Sequence, residues 1–148
     1  NDGAAAVLVA GERKAKELGV SPLIRIKGFG LAGADPTRTY KAVPVAVQRV
    51  LKKTNLTLTE IDLIEIQEAF AAQVLADLKE MGIGPHEYQK INVNGSGISL
   101  GHPIAATGTR VLVTLINEMK RRSTRYGLAA ICGGGGLGMG VILELVEV

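Results

Sequence analysis

The stretch that decides the fold is Asn92-Val-Asn-Gly-Ser-Gly-Ile-Ser-Leu-Gly-His-Pro-Ile104, because it leads into a helix and carries a histidine to that helix's start. Proline lacks the N–H that a first helical turn leaves unsatisfied, so Pro103 predicts a helix start with His102 at or near the N-cap. The helix is predicted to run to Lys120–Arg122 on apolar residues at helical spacing: Ile104, Val111, Leu112, Leu115 and Met119. A helix N-terminus disfavours a positive charge and so favours a neutral histidine, the form that a general base requires.

A second informative stretch follows the end of this predicted helix. The strand-like run Tyr126–Ile131 ends at Cys132, the only cysteine, and four glycines follow it, Gly133–Gly136. Glycines let a substrate approach the backbone closely and let N–H groups point at it. The pattern therefore places a thiol beside possible oxyanion donors. A lone cysteine is also a common packing residue, so both interpretations of Cys132 stay open on these residues alone.

Working outward, strand-like and helix-like segments alternate. Strands are predicted over Ala5–Ala10, Leu23–Phe29, Ile61–Ile66, Gly127–Cys132 and Met139–Val146, with a short extended piece at Ile91–Val93. Earlier helices are predicted over Glu12–Leu18, on the apolar positions Val43, Val47, Val50 and Leu51, and on Phe70, Val74, Leu78 and Met81. This alternation predicts a single α/β domain over residues 1–148, with a mixed, mostly parallel five-stranded sheet and helices on both faces. The last two strands are candidates for an antiparallel pair.

Composition narrows the class of protein. The chain has 148 residues, of which 47% are hydrophobic and 21% charged, as in a globular domain rather than a disordered one. A net charge of +3 without an arginine-rich stripe gives little support to nucleic-acid binding. No apolar run approaches the roughly 20 residues that span a bilayer, and one cysteine forms no internal disulfide, so we expect a cytoplasmic, membrane-free protein. The start at Asn1 without Met is interpreted as a fragment of a longer chain.

Other motifs are weak. Gly28-Phe-Gly-Leu-Ala-Gly33 matches the dinucleotide pattern G-x-G-x-x-G, but Asp35-Pro36 interrupts where a helix would have to open, so glycines that allow close packing of a strand are the better interpretation. A metal site is not predicted, because one cysteine and two histidines, His86 and His102, show no paired ligand spacing. The amide of Gln67, at a strand-to-helix junction, is predicted to cap backbone or to reach into a cleft, with capping favoured for this residue alone.

Taken in order, these pieces resemble the C-terminal domain of thiolases, the acetyl-CoA acetyltransferase and 3-ketoacyl-CoA thiolase family that makes or cleaves 3-ketoacyl-CoA. The resemblance covers nearly the whole chain. It rests on Asn1-Asp-Gly-Ala-Ala-Ala6, Gln67-Glu-Ala-Phe-Ala71, Asn92-Val-Asn-Gly95, Gly101-His-Pro103 and Cys132-Gly-Gly-Gly-Gly136.

The resemblance implies roles for individual residues. His102 would activate a nucleophilic cysteine that belongs to the family's N-terminal half, which this chain lacks, and would help to bind the thioester oxygen. Cys132 would exchange protons with the CoA thiol or with the α-carbon of the second acyl-CoA. The backbone N–H of Gly134 would serve the other oxyanion hole. Ala69 and Phe70 would contact substrate.

The resemblance also implies the partners: acyl-CoA and coenzyme A as substrates, no further cofactor and no metal, an N-terminal thiolase half, and a homo-oligomer. Gln67 departs from the pattern, because the family commonly has Asn there to hold a water that completes an oxyanion hole with the histidine. Ala105 likewise replaces a common Gly. The extra methylene of Gln67 is expected to shift that water.

Three functions of different classes follow. The first is the catalytic C-terminal half of an acyltransferase, inactive alone because it has no second cysteine to carry the acyl group. The second is a non-catalytic acyl-CoA or lipid binding module, which Gln67 keeps open. The third is an assembly half-domain whose exposed faces only pair with a missing half.

Overall fold

The computed structural model describes residues 1–146, in which four strands and five α-helices follow one another along the chain. The strands are β1 (Ile24–Gly33), β2 (Leu63–Ile66), β3 (Tyr126–Gly133) and β4 (Leu137–Leu145). The helices are α1 (Glu12–Glu17), α2 (Ala42–Thr54), α3 (Ala71–Glu80), α4 (Gly97–Leu100) and α5 (Ile104–Arg122), with 3-10 turns at Pro36–Lys41, Leu58–Glu60 and Pro85–Lys90. None of these helices is both long and apolar enough to cross a membrane.

The sheet has the order β1-β4-β3-β2, which corrects the prediction of five mostly parallel strands. Strands β1, β2 and β3 do share one direction, as the β–α steps require. However, β4 runs antiparallel between β1 and β3, so β2 and β3 are the only parallel neighbours in the described sheet. The cause is the short glycine turn at 134–136, which folds β4 straight back beside β3 as the predicted antiparallel pair.

The predicted strand Ala5–Ala10 is wrong. This segment has no regular structure and no partner strand within residues 1–146, and Leu8 and Val9 are 88% and 69% exposed. Its apolar composition favours a strand, but a strand needs a neighbour to satisfy its N–H and C=O groups. The short extended piece at Ile91–Val93 amounts to a single parallel bridge between Ile91 and Ile64.

Helices cover both faces of the sheet, as predicted. Helices α2 and α3 bury Val47, Val50, Val74 and Leu78 against one face, where Leu128 and Ile142 meet them. On the other face, α5 buries Val111, Leu115 and Met119 against Leu63, Ala129 and Leu143. The alternation of Leu128 and Ala129 between the two clusters is the strand period of two. The core therefore lies in two layers, one on each side of the sheet.

Two helix boundaries differ from the sequence prediction. Pro103 is the N-cap of α5 rather than its first helical residue, which puts His102 just before the cap. Phe70 was expected on the apolar face of α3, but it is the N-cap of that helix and is 73% exposed. The residues that α3 buries lie about one to two turns further on, so the apolar period begins at Val74.

Glycines let α2 lie directly on the sheet. A Cβ on Gly30 of β1 would overlap the Ala46 carbonyl oxygen, and one on Gly138 of β4 would overlap the Ala42 carbonyl group. Glycine at these positions therefore permits backbone-to-backbone approach, and the G-x-G-x-x-G match is a packing feature, as the sequence indicated.

We expect Gly138→Ala to lower the free energy of unfolding by about 1–3 kcal/mol, because α2 has to move away from β4. Gly33→Ala is the matched control, since a Cβ there meets nothing within 4 Å. Urea unfolding of the two variants and the native chain measures the difference. Equal stability of the two variants would contradict the close packing of α2 on β4 at Gly138.

Candidate active site at the carboxyl edge of the sheet

Gln67 and Cys132 lie at the same edge of the sheet. Gln67 directly follows β2, and its backbone N–H donates to the Ala130 carbonyl (2.9 Å), two residues before Cys132 on β3. Because β2 and β3 are parallel, their carboxyl ends meet at one edge, where ligands commonly bind in open α/β sheets.

Helix α5 brings His102 to that edge as well. The helix runs antiparallel to β3: Met119, near its end, packs against Gly127 at the start of β3, whereas Gly108, near its beginning, lies beside Ile131. A Cβ on Gly108 would be 3.6 Å from Ile131 Cδ1. The N-terminus of α5, and the histidine just before it, therefore sit at the carboxyl end of β3.

The hydrogen bonds around His102 determine its tautomer. His102 Nδ1 lies 2.8 Å from the hydroxyl of Thr107, which is buried. That hydroxyl donates its single proton to the Pro103 carbonyl (3.0 Å), so it can only accept from the histidine. Nδ1 therefore carries the proton, and the lone pair of Nε2 is left free to act as a base.

The side chain of Gln67 is held from α5. It is 1% exposed, and its Oε1 accepts a hydrogen bond from Arg110 Nη2 (3.1 Å). Its Nε2 has no partner among the described residues, and it lies against Gly97 of α4. Over residues 1–146 the amide bonds no backbone group, so the capping interpretation of Gln67 is wrong.

The Asn92 motif clamps the end of β2. The Asn92 side chain pairs with both backbone groups of Ile66, accepting from its N–H (2.7 Å) and donating to its carbonyl (3.0 Å). It also donates to Glu68 Oε1 (2.9 Å), while Glu68 Oε2 accepts from the Ile98 N–H at the start of α4 (3.0 Å). These bonds tie the residues on both sides of Gln67 to the segment that leads to His102.

Glu65 is a buried carboxyl on the same side of β2 as Gln67. It is 2% exposed, and burial raises its pKa to about 7. The Arg110 guanidinium acts against this shift, while the carboxylates of Glu68 and Glu118 add to it. Near neutral pH, the electrostatic potential at the site therefore depends on whether Glu65 is protonated and on the positive charge of Arg110 beside it.

Cys132 occupies the other side of the sheet edge. It is half-buried against the α2 and α3 cluster, and burial together with the Asp77 carboxylate raises the pKa of its thiol. Asp77 itself is buried, accepts a hydrogen bond from Gln73, and has its pKa raised by burial to about 7. The resting thiol is therefore neutral and carries its proton. No hydrogen bond joins it to His102 or Gln67 within residues 1–146.

The remaining predicted site residues surround this edge. Gly134 is exposed in the turn between β3 and β4, Ala69 is half-buried, and Phe70 is exposed at the N-cap of α3. Their contacts with substrate stay predictions.

Sequence reasoning missed the residues that hold the site together. These are Glu65, Ser96, Thr107 and Arg110, together with Asp77, whose carboxylate acts on the thiol of Cys132. Glu65 alone had a readable signal, as a charged residue inside the apolar run Ile61–Ile66. Thr107 and Arg110 look like ordinary helix positions until the segments they touch are known.

Comparisons with known proteins agree with this architecture. Residues 20–145 match the family model described as thiolase, C-terminal domain. The chain is 49% identical over 144 residues to an acetyl-CoA acetyltransferase of Chromobacterium violaceum (97% of this chain, 36% of that protein). It is 46% identical over 147 residues to a 3-ketoacyl-CoA thiolase of an Enterobacter species (99% and 38%). The crystal structure of the Bacillus anthracis acetyl-CoA acetyltransferase superposes with a TM-score of 0.86 at 47% identity, covering 91% of this chain and 34% of that one.

The chain therefore belongs to the thiolase family and corresponds to its C-terminal domain. It spans a little over a third of the length of the relatives it matches.

We expect Glu65 to make stability depend on pH. Between its ordinary pKa of 4.5 and the folded value of about 7, the folded state holds a proton that the unfolded state has lost, so the free energy of unfolding falls as pH rises through this window. Asp77 acts in the same direction. Glu65→Gln keeps the shape without the titration, and should reduce the fall by about 1–3 kcal/mol.

Urea unfolding at pH 4.5 and pH 7.5 measures this difference, with Glu80→Gln, an exposed carboxylate on α3, as the control. An equal fall in the native chain and in Glu65→Gln would show that Glu65 does not hold the proton.

Proposed function

We propose that this chain is the C-terminal catalytic part of a longer acyltransferase that moves an acyl group between coenzyme A and an acyl-CoA, by thiolysis of 3-ketoacyl-CoA or by the reverse condensation. The observation that carries the proposal is the placement of His102. Its Nδ1 is held by Thr107, which leaves Nε2 free, and it lies at the same edge of the sheet as Gln67 and Cys132. The named relatives, acetyl-CoA acetyltransferases and 3-ketoacyl-CoA thiolases, support the same reaction class.

In thiolysis, a nucleophilic cysteine in the rest of the protein attacks the 3-keto carbon after His102 Nε2 takes its proton. The C2–C3 bond breaks, an acyl thioester forms on that cysteine, and the electron pair leaves on the α-carbon of acetyl-CoA. Cys132 donates its proton to this carbon; its raised pKa keeps the thiol protonated until then and makes the thiolate that is left a stronger base. The resulting thiolate then takes the proton of the incoming CoA thiol, which attacks the acyl thioester and forms acyl-CoA. The nucleophilic cysteine leaves as a thiolate and regains its proton from His102 Nε2.

We propose that donors for the developing oxyanions come from the same edge. Gln67 Nε2 is buried and unpaired beside Gly97; through a water that it would hold in the complete protein, it is proposed to stabilise the thioester oxygen. The N–H of the exposed Gly134 is proposed to stabilise the second oxyanion. A single donor of this kind typically contributes about 10²–10³ in rate. Coenzyme A serves as a substrate, with Ala69 and Phe70 beside the acyl group.

An N-terminal half is the proposed partner of the exposed sheet face. On the side away from α2, an apolar patch remains uncovered beyond α5: Phe29, Leu31, Leu137 and Met139 are 50%, 57%, 60% and 39% exposed. The apolar segment Val7–Val9 is exposed as well. A patch of this kind marks a surface that another part of a protein covers, and the relatives are nearly three times as long as this chain. A homo-oligomer of the whole protein is part of the proposal.

A second candidate function is a non-catalytic acyl-CoA or lipid binding domain. Gln67 favours it, because its longer side chain is 1% exposed and is drawn towards Arg110. Thiolysis of acetoacetyl-CoA by the full-length protein and by its Gln67→Asn variant separates the two. Turnover by the native protein supports the enzyme, whereas turnover by the Asn variant alone supports a thiolase framework changed towards binding.

In the full-length protein, we expect His102→Ala to lower the rate of acetoacetyl-CoA thiolysis by about 10²–10⁴, because the base is lost. His86→Ala is the matched control, since His86 lies in an exposed turn away from the site. A loss below about tenfold would remove His102 from the role of general base.

Thr107→Val tests the tautomer. Valine keeps the shape but cannot accept from Nδ1–H, so the histidine loses its orientation and kcat should fall by about 10–100-fold with KM nearly unchanged. Thr109→Val, two residues along the same helix, is the control. Equal activity of the two variants would show that Thr107 does not set the histidine.

A further inference from the structure

We infer that Arg110 is a positioning residue for the reaction: its guanidinium holds the oxygen of the Gln67 amide and thereby fixes the amide's N–H end against Gly97, in the segment that leads to His102. The inference rests on the proposed function and adds to it a residue that fixes the orientation of the Gln67 amide.

The first step is the contact itself. Arg110 Nη2 donates to Gln67 Oε1 at 3.1 Å, and it lies 3.5 Å from the buried Ser96 hydroxyl. That hydroxyl donates to the Ile66 carbonyl (3.0 Å), so it faces Arg110 as an acceptor. A guanidinium has no acceptor atom, so it binds only the oxygen end of an amide, and the flipped amide would set N–H against N–H.

The second step is that Arg110 is itself constrained. Its Nε and Nη1 are buried with no partner among the described residues, and the same holds for Glu65 Oε2. Arg110 is close enough to Glu65 to oppose the rise in that carboxyl's pKa. Among the described residues, its side-chain hydrogen bonds are therefore those to Gln67 Oε1 and the Ser96 hydroxyl. A buried cation is costly to leave unpaired, and this favours the arrangement of the guanidinium that keeps these two contacts.

The third step is position on the helix. Arg110 follows Thr107 by three residues, so the two side chains project from the same face of α5, with Thr107 holding His102. One rigid stretch of helix thus orients both the base and the amide. The longer reach of glutamine is matched by a cation at its oxygen, which restrains the additional rotatable bond.

The test is a double-mutant cycle in the full-length protein with acetoacetyl-CoA. Arg110→Met should lower kcat by about 10–100-fold with KM changed less than about threefold. In a Gln67→Ala background, the same substitution should change kcat by less than about threefold, because Arg110 then has no amide to orient. The same loss in both backgrounds, or no loss in the native background, overturns the inference. Lys120→Met, an exposed cation on the same helix, is the control.

Gln67→Glu keeps the test decisive if Arg110→Met does not fold. A carboxylate still pairs with Arg110 but has no N–H to offer, so we expect kcat to fall at least about 100-fold without a lower Tm. Unchanged kcat would overturn the inference.

If the native protein shows no thiolysis, the proposed function fails, and crystal structures of the native and Arg110→Met full-length proteins then decide the positioning role. A Gln67 amide that turns or becomes disordered without Arg110 supports the role. One that keeps the same orientation and contacts overturns it.

Discussion

Helix α5 lies across β2, β3 and β4, and the packing of Val111, Leu115 and Met119 against the sheet is the constraint on which the site depends. Met119 approaches Gly127 so closely that a side chain there would collide with it. The helix consequently has one position along β3. Because core packing tolerates little displacement, the groups at the start of α5 are held to the same precision as the core.

From that fixed helix, two side chains reach the polar groups of the site. Thr107 sets the tautomer of His102, and Arg110 engages the amide of Gln67 at the end of β2. The Asn92 side chain completes the arrangement by binding both backbone groups of Ile66. The site therefore forms where the start of α5 meets the end of β2. Its polar side chains are held by hydrogen bonds to buried residues.

One face of β1 is buried under α2, and the other face is exposed. Helix α2 packs directly on the sheet backbone at Gly30 and Gly138. On the other side of β1, Phe29 and Leu31 are exposed. The same strand thus contributes to the core with one set of alternate residues and to an exposed apolar patch with the other. An exposed apolar patch of this kind is typical of a surface that another protein segment covers.

The sequence by itself determined the local elements and the chemistry at their ends: helical periodicity located α2 and α5, Pro103 marked a helix start beside His102, and Cys132 with its glycines marked the end of a strand. These signals are local, since they depend on backbone preferences and side-chain spacing within about 20 residues. Tertiary structure alone decided that β4 enters between β1 and β3, that Ala5–Ala10 has no partner strand within residues 1–146, and that Arg110 meets Gln67. Strand order and buried polar pairing depend on contacts between residues far apart in the chain, which no local pattern encodes.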